Sequence, residues 1–303
     1  MCCCCCPPAI TALFCLWVQS GFSKGTVAGA LTFFPPEPSL YKFERRDESG
    51  NLIPDDKDGD DDGDAKDKNS REHDLALREN GDGRDEHLRP DGTYKPSEGE
   101  TKEKIKSPAQ QLTDRAKELR QRAKQRNARD ARDAKSKVRY KLVLDSRLSV
   151  PRFDGGSVHA VKIPTKKGVY VAAIIYKVPD ALVRDSTRTL IYSHGNATDI
   201  GAMFPLQCIL AHSLECNVVS YDYSGYGESG GVPMEANTYT DVSGVFEWTL
   251  KKIAKNDASK IVLYGQSVGS GPCCYLASKN EDIGGMILHS PFTSGMRVLT
   301  PSR

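Results

Sequence analysis

The sequence has no apolar run long enough to cross a bilayer as a helix and no excess of either charge. Its cysteines are not spaced for a disulfide framework. The longest apolar stretch near the start, Ala9–Val18, is half the length a spanning helix needs. The 42 Lys and Arg nearly cancel the 40 Asp and Glu, for a net charge of +2, so bulk charge points to no nucleic-acid partner. Six of the ten cysteines fall in the first fifteen residues: Cys2, Cys3, Cys4, Cys5, Cys6 and Cys15. Five adjacent cysteines can neither pair with one another nor form a Cys-x-x-Cys metal site, so no metal is expected. No internal repeat is present.

What the cysteines do suit is thioester acylation of Cys2, Cys3, Cys4, Cys5 and Cys6, because two or more acyl chains anchor stably where one binds marginally. Cys2 occupies the position where myristoylation needs glycine. A signal peptide is the competing reading, with Ala9–Val18 as its core and Ala28-Gly29-Ala30 as a cleavage site. Against it, no basic residue precedes the run, the first being Lys24, and Pro7-Pro8 opens it.

Four regions follow from composition. Residues 1–43 form a cysteine-rich leader ending in Phe33-Phe34-Pro35-Pro36-Glu37-Pro38. Residues 44–107 are charged, lack apolar periodicity and are expected to be a disordered linker, since they cannot bury enough surface to offset ordering entropy. Within them Asp58, Asp60, Asp62, Gly63 and Asp64 imitate a calcium loop, but Asn69 stands where a bidentate Glu is needed. Residues 108–137 are rich in helix formers and basic, with a thin stripe of Leu112, Ala116, Leu119 and Ala123 that predicts an exposed helix. From 138 to 303, β-branched strands give way to strand–helix alternation, which predicts an α/β fold with a mostly parallel, doubly covered sheet.

The chemistry concentrates in Ile261–Gly271, which reads as strand, then Gly265-Gln266-Ser267-Val268-Gly269, then helix. Glycines two before and two after the serine permit a sharp strand-to-helix turn that lifts the hydroxyl clear of the backbone. In that context Ser267 is the candidate nucleophile. Leu190–Ser193 ends in His194-Gly195-Asn196, the place where an α/β-hydrolase supplies an oxyanion N–H. The backbone amides of Asn196 and Val268 are the candidate oxyanion hole. His194 is expected to be structural, Thr198 or Asp199 to cap the next helix, and Asp222 to fix its glycine-rich loop by accepting backbone N–H bonds.

These segments together resemble one family. His194-Gly195-Asn196-Ala197, the run Tyr221–Gly227, Tyr264–Gly269 and His289–Val298, with the leader ending at Pro38, are similar to the α/β-hydrolase domain-containing 17 family of membrane-anchored palmitoyl-protein thioesterases. The resemblance covers residues 1–43 and 138–303, leaving 45–137 as an insertion. It implies a serine hydrolase without a cofactor that acts on S-palmitoylated proteins. The membrane would be reached through acylated cysteines, on the cytoplasmic face of the plasma membrane or endosomes. In this fold the order is Ser, acid, His. After Ser267 come only Glu281, Asp282 and His289, none at the expected place, so the triad acid and base are expected to be absent here. The domain is then the front portion of the fold, incomplete at its C-terminal end, and weak in hydrolysis as written. Two alternatives stand: a carboxylesterase, lipase or peptidase of the same fold, or a catalytically incomplete, membrane-tethered interaction protein.

Overall fold

In the computed structural model, residues 33–55 and 108–292 are described, apart from 152, 154, 166 and 167. Strands β1 (Tyr41–Arg46), β2 (Arg139–Leu144), β3 (Ser157–Pro164), β4 (Tyr170–Lys177), β5 (Thr189–Ser193), β6 (Asn217–Tyr221), β7 (Ile261–Gln266) and β8 (Gly285–His289) form one sheet. Their order is β1-β2-β3-β4-β6-β5-β7-β8. The helices are α1 (Pro108–Lys135), α2 (Phe204–Ser213), α3 (Glu235–Lys252) and α4 (Ser270–Ala277). Pairing is antiparallel from β1 through β4 to β6 and parallel across β6, β5, β7 and β8. The parallel sheet expected from the alternating pattern is therefore confined to the half that carries the strand–helix units.

The central strands are apolar at nearly every position because both faces are covered. On one face Ala173, Ile191, Val219 and Leu263 pack with Val242, Val245 and Phe246 of α3 and Leu276 of α4. On the other, Ala172, Ile174, Leu190 and Val218 pack with Phe204, Cys208 and Ala211 of α2. Alternation along each strand assigns neighbours to opposite faces. β8 is different: Met286, Ile287 and Leu288 on this edge strand stay exposed.

Two boundaries read from composition are corrected. The leader and linker were expected to meet at residue 43, yet Tyr41–Arg46 pairs residue for residue with β2, and Tyr41 and Phe43 are buried. An alternating pattern of six residues beside charged sequence carries too weak a signal to stand out. Helix α1 was expected to be exposed, and only part of its surface is. Ala123, Asp130 and Asp133 are buried, and they continue the thin stripe through Ala116 and Leu119. Ion pairs dock its second half: Arg45 with Asp133, and Lys162 with Asp130 at 3.0 Å. Apolar periodicity is blind to a helix held by charge. Cys2 to Cys6, the calcium-loop imitation and residues 56–107 of the linker lie outside the described residues.

Candidate active site

Ser267 lies where β7 ends and a short 3-10 turn (Ser267–Gly269) leads into α4. Its φ is +51°, a left-handed conformation that costs a non-glycine residue about 1–3 kcal/mol. The two glycines explain why the chain tolerates it. A Cβ on Gly265 would stand 2.7 Å from the Gly269 carbonyl oxygen, and one on Gly269 would run into the Ser193 carbonyl. The turn is closed so tightly against β5 that only glycine fits on either side of the serine. The Ser270 hydroxyl ties it by donating to the Ser267 carbonyl at 2.6 Å.

The β5 turn lies alongside. Gly195 approaches Gln266, the residue before the serine, with 3.8 Å from its missing Cβ to the Gln266 amide carbon. Asn196 follows, and Ala197 adopts φ +54°. The Asn196 side-chain oxygen accepts three hydrogen bonds, from the Phe34 N–H (2.9 Å), the Tyr226 hydroxyl (2.8 Å) and the Ala197 N–H (3.0 Å). The candidate oxyanion residues Asn196 and Val268 therefore sit on adjacent turns at the carboxyl ends of neighbouring parallel strands. Ligand sites of open α/β sheets form at that edge.

His194 is fully buried beneath the turn, with its ring 4.5 Å from Tyr223 and 5.6 Å from Tyr226. Its Nε2 is 3.1 Å from Asp222 Oδ1, which places it in support of the turn. Asp222, also fully buried, accepts from the Ile200 N–H (3.0 Å) and the Tyr41 hydroxyl (2.5 Å). Burial pushes its carboxyl above the ordinary range, opposed by His194. The expectation that Asp222 fixes its own loop through backbone N–H bonds needs correcting, since among the described residues its one backbone donor is the Ile200 N–H. The loop is held from elsewhere: Asp241 accepts the Ser224 N–H (2.7 Å) and hydroxyl (2.8 Å). Burial pushes the Asp241 carboxyl up to about 7.

Asp199 accepts from Ala202 N–H at 2.8 Å, one turn before α2, and with its other oxygen from Ser39 and Leu40. The expected cap needs correcting: the N-cap of α2 is Met203, without a side-chain bond, and Asp199 instead holds the turn before it and clamps residues 39–40, 160 positions away. Sequence reasoning missed that clamp. It also missed Tyr41, whose hydroxyl reaches Asp222 and accepts the Glu228 N–H at 3.0 Å. The only signal available was the Phe-Phe-Pro-Pro-Glu-Pro run, which carries no address in space.

Glu281 and Asp282 precede β8, at the amino end of the strand, away from Ser267. His289 ends β8 opposite Gln266, exposed, with Nδ1 3.1 Å from the Tyr264 hydroxyl. Among the described residues no histidine is hydrogen-bonded to the Ser267 hydroxyl, and no group of three or more His, Cys, Asp or Glu is placed to hold a metal. Cys208, Cys216 and Cys273 are buried free thiols, with burial pushing them up to about 11, 11 and 12. They are therefore protonated and poor nucleophiles.

Residues 184–301 match the family model described as serine aminopeptidase, S33. The α/β-hydrolase domain-containing protein aho-3 of Caenorhabditis elegans is 51% identical over 37% of this chain and 33% of its own length. Human α/β-hydrolase domain-containing protein 17B is 39% identical over 45% of this chain and 46% of its own, and mouse 17C is 45% identical over 38% and 36%. The matched stretch thus spans between a third and a half of these relatives. Among solved structures, an α/β-hydrolase from Vibrio vulnificus aligns with a TM-score of 0.40 at 17% identity, over 48% of this chain and 50% of that one. The chain has an α/β-hydrolase fold and is similar in sequence to the domain-containing 17 proteins.

Proposed function

We propose that the protein is a serine hydrolase that cleaves the thioesters of S-palmitoylated proteins, with Ser267 as nucleophile. The observation carrying this is the strained serine at φ +51°, pinned between a parallel strand and a helix by two glycines that admit no side chain. In the proposed mechanism the Ser267 hydroxyl attacks the acyl carbonyl and the thiolate leaves as its acyl–sulfur bond breaks. Water then hydrolyses the acyl-serine. The Asn196 and Val268 amides stabilise the oxyanion, each worth about 10²–10³ in rate. The acid and base come, on this view, from strands following β8, as the family resemblance implies. No cofactor takes part.

The protein acts at the cytoplasmic face of a membrane, held by acyl chains on Cys2 to Cys6; replacing these five with serine moves it to the soluble fraction. The activity test, made on a protein that includes the strands supplying acid and base, is cleavage of a palmitoyl-thioester peptide compared with its amide counterpart. Thioester cleavage that Ser267→Ala abolishes is expected. Cleavage that survives Ser267→Ala, no cleavage at all, or preference for the amide overturns the assignment, the last in favour of a peptidase.

A further inference from the structure

A cavity of about 220 Å³ is lined in part by Phe34, whose N–H donates to the Asn196 side-chain oxygen. Its apolar walls come from three distant parts of the chain: Phe33 and Phe34, Leu119 of α1, and Val232, Pro233 and Met234 ahead of α3. Pro35, Ala116, Arg115 and Arg120 complete the lining, and no acidic side chain takes part. Two further cavities are built differently. One of about 840 Å³ between β2 and β3 is lined by the polar Arg139, Lys141, His159 and Lys162. One of about 370 Å³ is lined by the charged Lys42, Arg126 and Glu228.

We propose that the 220 Å³ cavity receives the alkyl portion of the acyl group, with the carbonyl end directed toward Asn196. This rests on the hydrolase reading and extends it to a recognition site. Apart from the two arginines, the lining side chains offer no hydrogen-bonding group. The walls therefore suit an alkyl chain and leave a peptide's amides unsatisfied. The arginine stems extend the apolar wall while their guanidiniums stay in water at the rim.

The wall and the oxyanion turn share an anchor. The Phe34 N–H and the Tyr226 hydroxyl both donate to the Asn196 side-chain oxygen, and the buried Phe33 ring meets Tyr226 edge-on at 6.5 Å. A chain lying against Phe34, itself 49% exposed at the mouth, is thus one residue from the turn proposed to hold the oxyanion. Each methylene buried there improves binding about threefold to fourfold, so longer acyl groups are preferred until the cavity is full.

The test uses the full chain with Ser267→Ala, so that nothing is turned over, and follows the fluorescence of cis-parinaric acid on titration. Saturable binding is expected, displaced by octanoate more strongly than by butyrate. Leu119→Trp and Met234→Trp, which fill the cavity from two different elements, should each raise Kd about tenfold. Phe34→Ser, at an exposed ring, should weaken binding about threefold and decides the matter if both tryptophan variants misfold, as judged by thermal unfolding. No saturable binding, or binding that folded variants leave unchanged, overturns the cavity assignment. If Ser267-dependent thioester cleavage is present while the variants bind the probe normally, the hydrolase reading stands and the cavity fails. Cavity-dependent binding with no Ser267-dependent cleavage upholds the cavity and overturns the hydrolase reading.

Discussion

Two glycine-rich turns stand at the carboxyl edge of the sheet, and they are shaped by different means. The turn at 265–269 is dictated by its own residues. Its glycines meet backbone within a few positions or on the neighbouring strand, and its side-chain ties run from Ser270 to the Ser267 carbonyl and from the Tyr192 hydroxyl of β5 to the Gln266 side chain. The loop at 222–231 is shaped by residues far away in the chain. Tyr41 holds Asp222 and Glu228, and Asp241 holds Ser224. Arg126 donates to the Gly227 and Ser229 carbonyls, and Asn127 accepts the Gly231 N–H at 3.0 Å. Lys162 donates to the Glu228 carbonyl. A turn closed by sterics is portable in sequence, whereas a loop held by distant charges needs the whole fold to assemble first.

The charges behind that loop are nearly all out of water. Burial pulls the Lys162 ammonium below its ordinary value, against the pull of Asp130 and Glu228. For Glu228 burial pushes upward, but Arg126, Lys162 and Arg129 outweigh it and leave the carboxyl below the usual range. Such a cluster adds little net stability while intact and is costly when one member is lost.

The largest effect that would sharpen the contrast is therefore Asp130→Ala. It strands Lys162 without its buried partner and should destabilise the chain by about 3–5 kcal/mol in urea unfolding. Hydrogen exchange should quicken at Gly225 and Gly230, whose amides are bonded within the loop and to β4, with little change at Ser270. Equal loosening at both turns would erase the distinction. Gly269→Ala tests the other side. Its new methyl meets the Ser193 carbonyl, so a loss of about 3 kcal/mol is expected, with exchange changing first around the serine.

A smaller effect concerns pH. The Asp241 carboxyl, pushed up to about 7 in the folded chain from an ordinary 3.8, binds its proton more tightly folded than unfolded. Its contribution is fully present below pH 4 and is lost as pH rises toward 7, at up to about 1.4 kcal/mol per pH unit. Asp222, raised in the same direction, adds to that slope. Asp241→Asn should flatten the decline between pH 4 and 7 in denaturant titrations; an unchanged slope would mean the carboxylate titrates normally. The smallest effect is Tyr41→Phe, which removes one donor to Asp222 and one acceptor for Glu228 N–H. About 1–2 kcal/mol is expected from urea unfolding, with thioester turnover lowered more than KM is raised if the loop positions the turn at Asn196.

The contrast also explains what could be read in advance. The strands β5 and β6 are legible as short apolar runs, because strands buried on both faces need no partner to declare themselves. Helix α1 was found as a helix and misjudged in its environment. Its buried face carries Asp130 and Asp133, which signal exposure in any hydropathy pattern.

By itself the sequence determined the turn at Ser267, the parallel strand–helix units beneath it and the glycines that make the turn possible. Each of these is a local matter of sterics or of apolar surface. Only the tertiary structure decided that Tyr41 would brace Asp222, that Phe34 would reach Asn196 and that α1 would dock by ion pairs. Contacts that span 32 to 181 residues depend on which polar groups are desolvated together, and no spacing along a chain encodes that.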